Sequence, residues 1–437
     1  MKSIEGGNNM ITLKEKIVKK KAKVGIIGLG YVGLPLAVEF ARAGFNVTGI
    51  EIDKDKVRMI NRGECYIQDV KQSELKELVR NNKLKATEDF SILKEMDAVS
   101  ICVPTPLRKT RDPDISYILA AVDEIAKYLH GGQLILLEST TYPGTTREII
   151  LPKLASKNFL VGRDFFLAFS PERIDPGNKE YTLRNTPKIV SGITRECTRI
   201  ASLLYKQIIG QVVIVSTTES AEMVKLLENT FRIVNVGLVN EIALICDRLK
   251  LDTWEVIDAA ATKPFGFMPF YPGPGLGGHC VPVDPHYLSW KLKSLNFYAR
   301  FIELAGEINS KMPEFLVVKI DAALNERRKS IKGSKILILG VAYKSNVSDT
   351  RESPALDVMR LLKERGGKVV YNDPYVPQVE GLKSVRLTRS SLRNADCVVI
   401  TTAHSDYDYK EIVENARLIV DSRNATKEIK SKKIIKL

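Results

Sequence analysis

The sequence is poor in several things, and each shortage excludes something. It holds four histidines and two tryptophans in 437 residues. His279, Cys280, Asp284 and His286 crowd within eight residues, but His130 and His404 stand isolated along the chain and no second His/Cys group completes a ligand set. No resident metal is expected. No apolar run approaches the ~20 residues that span a bilayer. The N-terminal stretch MKSIEGGNNMITLKEKIVKKKAK lacks the apolar core of a signal peptide, so the expected compartment is the cytoplasm, with no membrane partner. The six cysteines (Cys65, Cys102, Cys197, Cys246, Cys280 and Cys397) lie far apart and form no disulfide framework. A net charge of +14 invites a nucleic-acid reading. The basic residues are scattered, however, apart from Lys19 to Lys21 and Lys23, and no recognisable nucleic-acid module accompanies them. Small anionic substrates suit such a chain better.

What is present is an ordinary globular balance, 44% apolar and 27% charged, long enough for two or three domains. One stretch organises it: FYPGPGLGGHCVPVDP, residues 270–285, in which four glycines and four prolines surround Cys280. Glycine lets a ligand approach the backbone and proline stiffens the loop. Cys102, Cys246 and Cys397 sit inside apolar runs and read as core. Cys280 reads as a nucleophile, close before a helix that Asp284 caps and Pro285 opens, a setting that helps stabilise a thiolate.

Upstream, an apolar strand at 23–27 runs into Gly28-Leu-Gly30-Tyr-Val-Gly33, then a helix, then NVTGIEID. Strand, GxGxxG, helix, strand and acid in this order predict a dinucleotide site. Gly28 makes the turn, Gly30 admits the pyrophosphate, Gly33 lets the helix pack closely, and the helix N-terminus faces the phosphates. Glu51 would accept ribose hydroxyls and disfavour a 2′-phosphate, so NAD is expected rather than NADP. Two further strands end at Thr105 and at Ser139-Thr140, where a nicotinamide would lie in an open α/β sheet, although ordinary turn residues would give the same pattern. Glu172 follows another buried-looking strand, and spacing alone leaves open whether it moves a proton or caps a turn.

From about Glu219 to Lys250 a long helix is apolar around most of its circumference. It is expected to be buried between domains and against a second subunit. Lys225, Asn229 and Arg232 interrupt it as one polar stripe. Helical pattern resumes after the cysteine loop and runs to about Arg328. From Lys335 the first fold restarts: KILILGVAYK echoes KVGIIGLGYV, ADCVVITTAH echoes DAVSICVPTP, and ARLIVDSRN echoes QLILLESTT. Only Gly340 of the three glycines survives; Lys344, Asp349 and Arg351 appear instead, which suits a diphosphate held by charge, or else a salt-bridged surface loop. The expected fold class is α/β, with two Rossmann-like doubly wound domains joined by a long central helix. The expected boundaries are 1–215 for NAD binding (1–22 being a basic extension), 216–330 for the central helices, packed against a second subunit, and the cysteine loop, and 331–437 for the second doubly wound domain, to which the resemblance described next assigns the UDP-sugar.

Taken together, GLGYVGLPLA, ESTTYPGTT, SPERIDPGN, the Lys225/Asn229 helix, GPGLGGHCVPVDP and GVAYKSNVSDTRESPA resemble the UDP-sugar 6-dehydrogenase family over nearly all of residues 23–424. The resemblance implies a four-electron oxidation of a sugar C6 alcohol to a carboxylate with two NAD, through a thiohemiacetal and thioester on Cys280. It implies catalytic roles for Cys280, Lys225, Asn229, Asp284, Thr140 and Glu172. NAD contacts are implied at Gly28, Gly30, Tyr31, Val32, Gly33, Glu51, Lys56, Thr105, Ser139, Thr140 and Arg351. UDP-sugar contacts are implied at Glu172, Lys225, Asn229, Phe270, Tyr271, Gly273, Gly277, Lys344 and Arg423. A homodimer through the central helix is implied as well, with a higher oligomer open, and a product destined for surface polysaccharide or glycan synthesis.

One departure bears on substrate. UDP-glucose enzymes of the family carry an arginine sixteen residues before the cysteine; here that position is Pro264. The wording KPFGFMPFYPGPGLGGHC resembles most the branch acting on UDP-N-acetylglucosamine, with UDP-N-acetylmannosamine and UDP-glucose as alternatives. A two-electron hydroxy-acid dehydrogenase would need neither the thiol nor a second doubly wound domain. A non-catalytic nucleotide-sugar or NAD sensor would bind and yield no NADH.

Overall fold

Val24 and Ile26 of strand β1 (Lys23–Ile27) enter one hydrophobic cluster and Ile27 another, the alternation of a strand buried on both faces. The structure is a computed structural model and describes residues 12–67, 69–108, 112–155, 159–175, 178, 180–278 and 283–437. Cys280 and His279 lie outside the described residues. The chain packs as two units, one through Leu227 and one from Glu228 onward.

In the first unit β1 is joined by β2 (Asn46–Ile50), β3 (Leu84–Thr87), β4 (Ala98–Ile101), β5 (Gln133–Leu137), β6 (Phe165–Phe169), β7 (Lys188–Gly192) and β8 (Val212–Ile214). Their spatial order is β3-β2-β1-β4-β5-β6-β7-β8, parallel except where β6 meets β7. The order 3-2-1-4-5-6 is that of a dinucleotide-binding sheet, with its switch point between β1 and β4. Residues 12–22 join this unit: the helix Leu13–Val18 is capped by Thr12, buries Ile17, and sends Lys16 to Asp97 at 2.6 Å.

In the second unit β9 (Lys335–Leu339), β10 (Lys368–Asn372), β13 (Cys397–Ile400), β14 (Ile419–Asp421) and β15 (Ile434–Lys436) form a sheet ordered β10-β9-β13-β14-β15. A hairpin of β11 (Gln378–Val379) and β12 (Leu382–Lys383) stands in chain order where the first sheet has β3. Ile336 and Ile338 face one cluster, Leu337 and Leu339 the other. Each such side chain withdrawn from water contributes about 1.5–3 kcal/mol.

The duplication extends to single hydrogen bonds. Asp97 accepts the Lys23 amide at 2.8 Å and Asp396 accepts the Lys335 amide at 2.8 Å. Each also takes a lysine from just upstream, Lys16 and Lys329. Glu51 accepts the Leu29 amide at 3.0 Å, and Asp373 accepts the Val341 amide at 2.7 Å. Register therefore pairs Gly28 with Gly340, Thr105 with His404, and Ser139 with Arg423.

The helix Thr218–Leu249 has 32 residues, about 48 Å long. It begins in the first unit and continues in the second. The later helical pattern is not continuous: Asp284–Lys293 ends before a break, and Arg300–Asn325 follows. Val283 precedes the first of these helices, so Asp284 is its first residue and Pro285 its second. The expected cap is thus displaced by one position, within the usual uncertainty of helix ends.

Candidate active site

The glycine-rich turn divides its labour as the spacing predicts. Gly28 has φ +88°, and a Cβ there would lie 2.6 Å from the Cys102 carbonyl oxygen. A Cβ on Gly33 would lie 1.9 Å from the Gly28 oxygen, whereas one on Gly30 would meet nothing within 4 Å. Two glycines are thus demanded by the fold, and the third leaves open space for a phosphate. Val32 precedes the helix Gly33–Arg42 and Tyr31 is exposed. Glu51 is buried, one oxygen on the Leu29 amide and the other accepting from Asp53 at 3.2 Å; the remaining lone pairs can still take ribose hydroxyls. Lys56 lies over the Tyr66 ring, 5.9 Å from its centroid, and the Tyr66 hydroxyl donates to the Leu29 carbonyl at 2.6 Å. Tyr66 braces the turn. Thr105 and Ser139 are buried just past β4 and β5, and Ser139 donates to the Val103 carbonyl at 2.8 Å. Thr140 follows, partly exposed. These residues fit a dinucleotide.

Glu172, beyond β6, is buried and fully engaged. One carboxylate oxygen accepts the amides of Arg173 and Ile174, both at 2.7 Å; the other accepts Lys188 at 3.1 Å. Burial alone would raise its pKa, but the Lys188 ammonium and the amide donors outweigh it and hold the carboxyl below its ordinary value. The Lys225 ammonium, also buried, donates to the Glu172 carbonyl at 2.7 Å. Three residues earlier on the same helix, Glu222 binds the Gly144 amide at 2.6 Å and the Thr146 amide and hydroxyl at 2.9 and 2.7 Å. It thereby caps the wide helical turn Thr145–Ile150 that follows Thr140. Burial pushes its pKa up to about 7.

In the second unit, Asn229 donates to Asp284 at 2.5 Å, both buried. The cysteine loop is anchored at its start: the Gly273 amide donates to Asn240 at 3.0 Å, and Asn240 donates to Asn309 at 2.8 Å. A Cβ on Gly273 would strike the Arg423 guanidinium, and one on Gly277 would lie 2.7 Å from Cβ of Tyr343. The Gly278 amide donates to the Arg351 carbonyl at 3.0 Å. The loop's glycines therefore lie against the turn after β9, which also carries Lys344. Arg423 donates to the Thr401 carbonyl at 2.9 Å. Burial lowers its pKa to about 10, which leaves it cationic at neutral pH. The Arg351 side chain forks onto Asp349 at 2.6 and 3.0 Å. The Phe270 ring meets Phe231 edge-on at 5.7 Å. Tyr271 stacks on Trp254 and donates to Asp258 at 2.7 Å.

His404 is not isolated. Fully buried, it faces Asp373 at 3.0 Å through Nε2 and accepts the Asn346 amide at 2.9 Å through Nδ1. The proton therefore sits on Nε2, donated to the carboxylate. Asp373 also binds the amides of Val341, Ala342, Tyr375 and Val376. The acid that corresponds to Glu51 is thus saturated, and this second turn is closed to a dinucleotide.

Sequence models of one family cover most of the chain: the NAD binding domain of the UDP-glucose/GDP-mannose dehydrogenase family over residues 22–209, its central domain over 219–311, and its UDP binding domain over 337–428. The chain belongs to the UDP-glucose/GDP-mannose dehydrogenase family. It is an NAD-dependent UDP-sugar dehydrogenase. It is 35% identical over 393 residues to a UDP-N-acetyl-D-glucosamine 6-dehydrogenase of Pseudomonas aeruginosa, covering 89% of this chain and 92% of that one. It is also 35% identical over 416 residues to a UDP-N-acetyl-D-mannosamine dehydrogenase of Pyrococcus horikoshii, covering 93% and 96%. A solved UDP-D-ManNAc dehydrogenase from Pyrococcus horikoshii superposes with a TM-score of 0.87 at 33% identity, over 95% of this chain and 98% of that one.

Within this dehydrogenase, sequence reading missed Glu138, Lys188, Tyr66, Glu222, Asn240 and the Asp373–His404 pair. Glu138 and Asn240 stood inside motifs or helices already singled out, but their partners lie far along the chain, and nothing local marks them. Cys102 is buried, which raises its thiol pKa well above the ordinary value, and burial pushes Cys397 up to about 12, so both are inert core thiols. Among the described residues no helix is long and apolar enough to cross a membrane.

Proposed function

We propose that the chain oxidises the C6 alcohol of UDP-N-acetylglucosamine to the carboxylate, for glycan synthesis in the cytoplasm, as a homodimer. The carrying observation is Lys225: a buried ammonium with one described partner, the Glu172 carbonyl, and two further donors free among the described residues to stabilise negative charge on the C6 oxygen. Asn229 lies one helical turn on, on the same face. Bound NAD accepts a hydride in each of two oxidations, so alcohol, water and two NAD⁺ give the carboxylate, two NADH and three protons. Cys280 holds the aldehyde covalently between them as a thiohemiacetal and then a thioester. Thr140 and Asp284 hold the water that relays protons, and Glu172 assists thioester hydrolysis. Lys344, Arg423, Gly273, Gly277, Phe270 and Tyr271 are proposed to bind the UDP-sugar, and Arg351 the cofactor phosphates. The domain assignment is 1–215 for NAD, 216–330 for dimerisation and 331–437 for UDP.

Pro264 in place of a glucose-reading arginine supports an N-acetylated sugar. Phe265, Phe267 and Met268 beside it are exposed and offer an acetamido methyl apolar contact. A UDP-N-acetylmannosamine reading is favoured by the 0.87 TM-score to the Pyrococcus horikoshii enzyme. The test is NADH formation with UDP-N-acetylglucosamine, UDP-N-acetylmannosamine and UDP-glucose side by side. Two NADH per UDP-N-acetylglucosamine, with the highest kcat/KM, is expected. One NADH per sugar would remove the four-electron reaction, and preference for the C2 epimer would reassign the substrate.

A further inference from the structure

We infer that Lys188 is a positioning residue for the hydrolytic half of the reaction: its buried ammonium fixes the Glu172 carboxylate and the strand end that leads into Ser139 and Thr140. The inference rests on the reading of Glu172 given above. Lys188 opens β7 with its side chain 4% exposed, and donates to Glu138 at 2.7 Å and to Glu172 at 3.1 Å. The second Glu138 oxygen accepts the Tyr205 hydroxyl at 2.6 Å, and the ammonium lies 5.4 Å from the centre of that ring. Two carboxylates thus share one lysine, the buried Tyr205 and Cys102 lie beside them, and the Lys225 ammonium acts on Glu172 as well.

One carboxylate would already neutralise a buried lysine. The second, Glu172, is balanced by the buried Lys225 ammonium, which also lowers its pKa, so two acids and two lysines are held out of water as one mutually placed cluster. What the second carboxylate gains is a fixed place and charge. With the Arg173 and Ile174 amides on one oxygen and Lys188 on the other, Glu172 cannot swing and rests as the carboxylate, the form that accepts a proton from water. Its carbonyl meanwhile holds Lys225. Glu138 precedes Ser139 directly, so the same ammonium ties down the end of β5. The two acids are driven apart: burial raises the Glu138 pKa, while the ammonium and amides hold Glu172 down against burial. Glu172 is the one kept ionised. In thioester hydrolysis the water oxygen bonds to the acyl carbon as its proton passes to Glu172. The carbon–sulfur bond then breaks and its electron pair returns to Cys280.

The test compares Lys188→Met with Lys188→Arg and with the near-isosteric Glu138→Gln, alongside Cys280→Ser. Lys188→Met is expected to lower kcat about 10–100-fold with the KM for NAD changed less than about twofold. Its acid limb of kcat should move up by about one pH unit or more, and a sugar adduct of the protein should accumulate in intact-mass spectra. Lys188→Arg should recover part of the rate. Glu138→Gln leaves Lys188 to Glu172 alone and should move the acid limb down, which keeps the inference testable if Lys188→Met does not fold. An unmoved limb in the folded variants, with no adduct, overturns the role of Lys188. Full carboxylate production by Cys280→Ser overturns the covalent reading itself, separately.

Discussion

At Gly30 and Gly33, three residues apart in one turn, an added methyl group meets opposite surroundings, open space in one case and a carbonyl oxygen at 1.9 Å in the other. The Gly33→Ala variant is expected to lower the melting temperature and to weaken NAD binding, because the helix must move off the turn. Gly30→Ala is expected to keep its melting temperature within a degree or two and still lose NAD affinity about tenfold or more, because its methyl projects only where the pyrophosphate approaches. Thermal melts and NAD titrations on both variants check this; equal loss of stability in the two would refute the division of roles. These glycines were legible in the sequence because their constraint is local. Lys188 was not, since its partners stand 50 and 16 positions away and only the strand order β5-β6-β7 brings them together. His404 was hidden for a similar reason. Its meaning depends on β10 and β13 flanking β9, which places it over Asp373 rather than at a surface turn.

The long helix was foreseen to within a residue at each end, because its apolar periodicity runs unbroken. Its surroundings were only half foreseen. Leu226 and Ile233 are buried, but Leu227, Phe231, Leu238, Ile245 and Leu249 are 58%, 46%, 54%, 45% and 63% exposed. At 100° per residue these five lie within about 40° of one another, a single apolar stripe along the helix. Contiguous apolar surface of this kind marks an interaction face, and it agrees with the proposed homodimer. Leu238→Asp should convert the dimer to a monomer in light scattering at micromolar concentration, with the α-helical circular dichroism unchanged. A variant that keeps the parent mass would show that this stripe is not the interface. The Gly/Pro stretch before Asp284 was legible as a shaped loop. Its anchors, Asn240 and Asn309, were not, because each is an ordinary polar residue within a helical pattern until the other is placed beside it.

For the whole molecule, the internal repeat was the most informative feature of the sequence, and the structure carries it down to matching aspartates at Asp97 and Asp396. The two copies have diverged at their ligand turns. In one, Glu51 keeps lone pairs for a ribose and Gly30 leaves room for phosphate. In the other, Ala342 and the Asp373–His404 pair have filled that space. With one turn closed, a reaction that removes two hydrides has a single nicotinamide berth, which must be emptied and reloaded midway through every catalytic cycle. NADH should then compete with NAD⁺ on both visits, and initial-rate inhibition should be competitive with respect to NAD⁺ whichever half-reaction limits. The plugging of one ancestral pocket by an imidazole would thus make the supply of an acidic sugar answer, twice per molecule made, to the redox balance of the surrounding cell.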